Sequence, residues 1–452
     1  MNNTENPNGQ GNISRRKFLG GAALSLAAFT LVPRHVLGGV GYTAPSDKLN
    51  VAGIGVGGRG RSVLAGMKSE NIVALCDVDH DFAAKTFAEY PKAKQYKDFR
   101  RMLDEQKDID AIMVATPDHT HAIIAMAGLK MGKHLYVEKP LTYTVHEARE
   151  LTNAARQAKV ITQMGNQGHS SDDARKVNEW IRSGAIGEVK EVQVWTNRPI
   201  WPQGVARPTE AVPVPSTLDW DLFLGPAPYV AYNPAYHPFK WRGWVDYGVG
   251  AIGDMGAHLI DHAVWALELG APVSVEATST PFQKDRAAHP LATMITYEFA
   301  ARGTGKPAVK MTRYDGGLMP PRPDELPEGE GMNKGGGVLY IGSKGKLMHE
   351  TYGSKPRLLP AEKFAKVPAP KEMFARLGMN HQMAWVQGVK DKKQPSSSFD
   401  YAGPLTETML LGVVATMVPG RKLLWDGPGM KVTNIPEANQ FLRREYRSGW
   451  TL

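Results

Sequence analysis

An α/β fold with a doubly wound parallel sheet is predicted for the first third of this chain by three observations. A short apolar run leads into a glycine-rich turn at residues 48–60, an acidic residue ends the next apolar run, and strand-like and helical segments then alternate as far as residue 162. That alternation is the mark of parallel strands, because each crossover must carry the chain back to the same end of the sheet.

Lys48-Leu49-Asn50-Val51-Ala52-Gly53-Ile54-Gly55 reads as the first strand. Gly55, Gly57 and Gly60 then supply G-x-G-x-x-G, with Gly58 and Arg59 between them; Gly53, Gly55 and Gly58 fit the same pattern but place the strand less well. Glycine is needed there for the tight turn, for close approach of a pyrophosphate to the backbone, and for close helix packing. The following helix, at about 59–68, points its first amides at the phosphates. This is the signature of a Rossmann-type dinucleotide site. The second strand, 72–75, leads to Asp77, twenty residues after Gly57. A carboxylate there suits the adenosine ribose hydroxyls and repels a 2′-phosphate, which favours NAD over NADP. Helices at 80–90, 121–131 and 145–158 and strands at 111–115, 135–137 and 160–162 complete the alternation.

Ligands in such sheets lie beyond the carboxyl ends of the strands. Two loops there carry chemistry, Thr116-Pro117-Asp118-His119-Thr120-His121 and Glu138-Lys139-Pro140. Alone, the second is a charged turn, and His119 or His121 a helix cap. Beside a nicotinamide they become candidate site residues. The second half differs in texture: a strand at 189–196, an aromatic and proline-rich stretch at 198–247, then a glycine-rich entry to a helix. Asp254, His258 and Asp261 stand at i, i+4 and i+7 on one face of it, with Leu259, Ala263, Ala266 and Leu267 packing the other side. A histidine one turn from a carboxylate suits acid–base work, a structural salt pair or a metal pair; no third metal ligand stands at an obvious spacing, so no metal is predicted.

Composition narrows the function classes. Hydrophobic residues make up 42% and charged residues 22%, the balance of a soluble globular protein. Cys76 is the single cysteine, so an intrachain disulfide and a thiolate cluster are excluded. Ser14-Arg15-Arg16-Lys17-Phe18-Leu19 precedes a run of small and apolar residues from Gly20 to Val32. That is signal-peptide architecture, too short to span a bilayer as a mature helix, and the paired arginines resemble a twin-arginine export signal. Removal of residues 1–38 takes +3 of the formal +9 with it and leaves +6, without a dense basic tract. No nucleic acid partner and no membrane role beyond export are predicted. The expected organisation is a signal at 1–38, a linker at 39–47, an NAD-binding domain at 48–168 and a second domain at 169–452 whose tail packs back on the first.

The loop ending Gly58-Arg59-Gly60, the Glu138-Lys139-Pro140 turn and Asp254-Met255-Gly256-Ala257-His258 resemble, in order and separation, the Gfo/Idh/MocA oxidoreductases, named for glucose–fructose oxidoreductase and inositol dehydrogenase. The likeness covers essentially residues 48–450. It implies a C-terminal α/β domain with an open, mostly antiparallel sheet, for which strand-like runs at 273–280, 292–300, 308–314 and 337–349 are available, and homo-oligomer contacts through that sheet. It places Lys139 near the nicotinamide and the reacting hydroxyl, and Asp254 and His258 on a sugar, with His258 as the proton acceptor. Thr116, His121 and Glu138 would join the glycine loop around the cofactor. Gly165-Asn166-Gln167-Gly168-His169 and the insert with Trp195, Trp201, Tyr236, His237, Trp241 and Arg242 resemble an exported subgroup found beside polysaccharide-degrading systems. His169, Trp241, Arg242, Asp261 and His262 are therefore substrate-side candidates, although core packing explains the aromatics equally. The tail from Pro436 to Trp450 resembles the same subgroup, with no role read from it. An exported enzyme of this kind is expected to keep its NAD and act on a sugar or glycoside, by net oxidation or by a redox-neutral cleavage through a transient keto-sugar; a non-catalytic sugar-binding protein is the remaining reading.

Overall fold

In the computed structural model, residues 47–210 and 212–452 are described; the predicted export signal and nearly all of the linker lie outside them. The first sheet has six strands, all parallel, in the order β3-β2-β1-β4-β5-β6. These are β1 Asn50–Ile54, β2 Asn71–Cys76, β3 Lys94–Tyr96, β4 Ala111–Val114, β5 His134–Val137 and β6 Thr162–Met164. Helices α1 Gly58–Ala65, α2 His80–Glu89, α3 Phe99–Glu105, α4 His121–Lys130 and α5 Val145–Ala158 connect them. β1 lies between β2 and β4, so the chain reverses its direction of travel across the sheet beside the glycine turn, where a doubly wound sheet leaves its crevice.

Three local expectations change. α1 ends at Ala65 rather than near 68, because the Gly66 and Met67 amides close tighter turns onto Val63 and Leu64. β6 starts at Thr162 rather than Val160; the apolar side chains of Val160 and Ile161 are buried in the approach to the strand. β3 and α3 are additional. β3 is only three residues, Lys-Gln-Tyr, too short and polar to show a period.

After α6 Asp172–Arg182 the chain builds a nine-stranded sheet, in the order β13-β12-β11-β7-β10-β9-β8-β14-β15. Its strands are β7 Val189–Thr196, β8 Ser274–Ser279, β9 Thr293–Phe299, β10 Val309–Tyr314, β11 Gly336–Gly342, β12 Lys346–Glu350, β13 Arg357–Leu359, β14 Leu423–Asp426 and β15 Lys431–Val432. Only β7 and β10 pair in parallel. The run at 337–349 is a hairpin of two strands, β11 and β12, turned at 343–345. In β9, Thr293, Ile295, Tyr297 and Phe299 are buried while Met294 is exposed, the alternation of a sheet with one covered face. The remaining helices are α7 Trp220–Leu224, α8 Gly250–Leu267, α9 Ala361–Phe364, α10 His381–Asp391 and α11 Phe399–Met417. α8 packs on α6, α11 and β7, and α11 on α5, α8 and β8. α11 thereby joins the two sheets through one continuous apolar core, from Ile54 and Val114 to Val192 and Leu410. Among the described residues no helix is long and apolar enough to cross a membrane.

Candidate functional site

The glycine turn shapes a cleft at the carboxyl ends of β1, β2 and β4. Gly55 takes φ +76°, and a Cβ there would stand 2.6 Å from the Thr116 amide nitrogen. A Cβ on Gly60 would stand 1.9 Å from the Gly55 carbonyl oxygen, so both positions are closed to any side chain. α1 starts at Gly58 with no acidic residue in its first turn, leaving its free amides unopposed for an anion. Asp77 follows β2 at the wall of the cleft. Its carboxylate accepts from the Gly57 and Asp79 amides, each at 3.0 Å; burial nevertheless pushes its pKa up to about 6. The cradle and the adjacent carboxylate fit a dinucleotide, whose diphosphate Gly55, Gly57, Gly58, Arg59 and Gly60 would hold and whose ribose would meet Asp77.

The opposite side of the cleft is lined by Phe223, His237, Phe239 and Trp241 of the insert and by Trp450 of the tail. The tail is anchored. Arg447 Nε donates to Gly225 O at 3.0 Å, Lys130 Nζ donates to Leu452 O at 3.1 Å, and the Arg100 guanidinium lies 4.5 Å from the Trp450 ring centre.

A second, more polar pocket adjoins this cleft, sharing Arg59, Thr116, Phe239, Trp241 and Arg242 with it. Lys139, just past β5, reaches into it from the first sheet, and Asp254 and His258 reach into it from α8. Lys139 Nζ donates to Asp254 Oδ1 and to the Asp254 carbonyl, both at 2.9 Å. Burial acts to raise the Asp254 carboxyl, but the charges of Lys139 and Arg242 outweigh it and hold the group far below the usual carboxylate range. His258 is buried, and that burial, with the nearby Lys139 charge, holds its imidazole well below 6.5 and hence neutral. Among the described residues its Nδ1 has no partner. Glu138 accepts from Arg59 Nε at 3.0 Å at the border of the two spaces. Thr116 stands at the same border.

His121 also borders the pocket, but both ring nitrogens face carbonyls: Nδ1 is 2.8 Å from Pro140 O and Nε2 2.9 Å from Thr116 O. A neutral imidazole has one N–H, so it donates to one of the two. Its place is that of a clamp between the Thr116 and Lys139 loops. His169, Asp261 and His262 are not brought to the pocket. Asp261 lies on the same face of α8 as Asp254 but seven residues on, about 10 Å along the axis. There its carboxylate is consumed by His169 Nδ1 at 3.0 Å, Asn166 Nδ2 at 3.0 Å and Tyr401 Oη at 2.5 Å. His169 stacks on Trp265 with ring centres 4.0 Å apart, and His262 packs against His349. His169 and Asp261 thus tie α8 to the segments around it, and none of the three lines the pocket, against the substrate-side expectation for them. Trp195 and Tyr236 are core residues too, while Trp201, Trp241 and Arg242 line the pocket.

Sequence reasoning missed Arg198, Tyr352 and Trp450. Arg198 lines the polar pocket from the start of the insert. Tyr352 arrives from the far sheet with left-handed backbone, φ +67°, and sets its ring 4.7 Å from that of His258. Nothing local marks either residue; the aromatic tail was the one available signal for Trp450. Among the described residues no group of three or more His, Cys, Asp or Glu side chains is placed to hold a metal ion.

A glycine-cradled cleft on a parallel sheet, opening onto a Lys–Asp–His pocket, defines the class of NAD-binding oxidoreductase folds. Family profiles narrow this. Residues 49–166 match the Gfo/Idh/MocA oxidoreductase family, NAD-binding Rossmann fold, and residues 173–304 match its C-terminal alpha/beta domain. The two matches span more than half of the 452 residues, and the chain belongs to this family. A glycosyl hydrolase family 109 protein of Shewanella pealeana is 30% identical over 204 residues, 39% of this chain and 44% of that protein. Levoglucosan dehydrogenase of Pseudarthrobacter phenanthrenivorans is 24% identical over 213 residues, 46% of this chain and 45% of that protein. The chain thus spans under half the length of these relatives. Among solved structures, GenD2 from gentamicin A biosynthesis in complex with NAD aligns with TM-score 0.58 at 19% identity, over 88% of this chain and 100% of that one. Levoglucosan dehydrogenase with NADH and levoglucosan aligns with TM-score 0.56 at 18% identity, over 82% and 98%. These likenesses establish the shared fold.

Proposed function

We propose that the protein oxidises a hydroxyl-bearing carbon of a sugar or glycoside, with NAD kept in the cleft through turnover. The observation that carries this reading is the Lys139–Asp254 contact at 2.9 Å, with His258 one turn further along α8, beside the NAD cleft. Bound NAD supplies the hydride acceptor. Lys139, held by Asp254, offers an ammonium donor to the substrate oxygen. His258, neutral through burial, takes the hydroxyl proton as the C–H electron pair leaves carbon. Lys139→Met and His258→Asn are each expected to lower kcat about 10²–10⁴-fold, with NAD content after denaturation at the wild-type level. Undiminished turnover by both variants would remove Lys139 and His258 from the chemistry, and absence of turnover in the wild-type protein with every sugar and glycoside tried would leave a sugar-binding role.

A redox-neutral cleavage is the second reading, favoured by the aromatic insert and the anchored tail that line the cleft. Where the cofactor stays, each hydride taken has to be given back. Oxidation of a ring carbon acidifies the neighbouring C–H; His258 removes that proton, the aglycone leaves, water adds, and the ketone is reduced again. The family 109 relatives, including an alpha-N-acetylgalactosaminidase of Shewanella oneidensis, support this cycle, whereas levoglucosan dehydrogenase supports net oxidation. Glycoside cleavage without added NAD and without net change in nicotinamide absorbance separates the two. We also read Ser14–Leu19 and the apolar run behind it as directing export. A reporter fused to residues 1–46 should reach the periplasm only when the twin-arginine translocase is intact.

A further inference from the structure

Asp254 stands among three cations. Lys139 Nζ donates to Oδ1 at 2.9 Å, Arg242 Nε lies 3.6 Å from the same oxygen, and Arg198 Nε lies 3.7 Å from Oδ2. The two arginine distances are beyond hydrogen-bond reach. One carboxylate offsets one of these charges. The other acids around the pocket do not restore the balance. Glu138 is matched by Arg59 at 3.0 Å. Asp118 accepts from the Val249 amide, and burial pushes its carboxyl up to about 7, so at neutral pH it carries only part of a charge. His258 is neutral. The pocket therefore keeps a positive surplus, and it sits on two guanidiniums.

Neither guanidinium has a carboxylate docked on its fork. Arg242 Nη1 donates to the Phe239 carbonyl at 3.1 Å, and Arg198 Nη1 to Asn197 Oδ1 at 2.6 Å. Among the described residues the Nη2 donors of both have no acceptor. Arg242 is also fixed in place, its guanidinium 4.2 Å from the Trp241 ring centre and 4.6 Å from that of Phe239. A guanidinium caged by aromatic faces is poorly hydrated and pre-set, which suits it to bidentate capture of two oxygens of an oxyanion. The same rings offer flat apolar surface to a sugar. Arg242 borders the cofactor cleft as well, where a diphosphate could claim it; Arg198 lines the polar pocket alone.

We infer that the substrate is an acidic saccharide, its carboxylate or sulfate group held by Arg198 and Arg242 beside Asp254. The inference rests on reading this pocket as the saccharide site of an NAD oxidoreductase. The test uses the NAD-loaded full-length mature protein and calorimetric titration with matched methyl glycosides: neutral hexosides, the corresponding uronates, their methyl esters, and 6-sulfated hexosides. An acidic member is expected to bind about tenfold or more tightly than its neutral counterpart. Esterification should erase the preference, and the uronate and sulfate arms tell which oxyanion is taken. Arg198→Gln should lose the preference while retaining wild-type NAD content, and Arg198→Lys should restore part of it. Equal or tighter binding of the neutral glycosides, no binding by any acid, or a preference that survives Arg198→Gln would overturn the inference. Turnover of a neutral sugar as efficient as that of its acidic counterpart would do so while leaving the oxidoreductase reading intact; failure to bind NAD would remove that reading itself.

Discussion

His258 and Asp118 border the same pocket and respond to burial in opposite senses. Burial lowers the imidazole, so His258 stays a free base well below pH 6.5; the acid limb of kcat/KM should fall below that value, and a limb at 6.5 or above would mean another group supplies the base. Burial raises the Asp118 carboxyl from 3.8 to about 7, against the opposing charges of Arg242 and Lys139 and with the Asp254 charge adding to the rise. The folded state therefore favours the protonated acid. The resulting stabilisation is fully present below about pH 4 and is lost as pH rises to about 7, with a slope on the order of 1 kcal/mol per unit. Asp118→Asn, which keeps an acceptor for the Val249 amide, should flatten that part of the stability–pH curve. Parallel curves for the two proteins would refute a raised Asp118.

The glycine turn, β5, α8 and the C-terminal tail are the elements that build the site. Gly60→Ala would drive a Cβ to within 1.9 Å of the Gly55 carbonyl oxygen, displacing α1 from the cradle. NAD affinity should fall at least tenfold, and unchanged affinity by titration would contradict the fit. The tail acts through Trp450. Trp450→Ala, or truncation after Ser448, should speed NAD release measured by dialysis or dilution while the fold stays intact by circular dichroism; an unchanged release rate would show that the tail does not hold the cofactor. How legible each element was follows from its range. The Gly55–Gly60 turn, the Lys139 turn and the Asp254–His258 pair are contiguous motifs, visible in the chain itself. β3 was too short to show a period, and α11 carries Pro404 in its first turns and is apolar nearly all round, so neither declared itself. Asp261 shared a helical face with Asp254, yet two further turns of helix took it into the network with His169 and Tyr401. A shared face gives direction and says nothing of depth.

At the scale of the whole molecule, the site is assembled by packing two sheets through α8 and α11. Pattern reading gave the parallel sheet, because alternation and period are local, whereas the mostly antiparallel one was implied by the family resemblance. It could not give the placement of Arg198, Tyr352 and Trp450, which come from the insert, the far sheet and the chain end and meet the cleft only after folding. The same long-range packing sets Trp450 and the aromatic insert along the NAD cleft, and on the proposed reading this wall holds the cofactor through turnover. The most direct test is to purify the mature protein without added cofactor, denature it, and assay the supernatant for NAD and NADP. Near-stoichiometric NAD is the predicted result. A protein that emerges empty and binds NAD only weakly would contradict retention and leave an enzyme that exchanges its cofactor at every turnover.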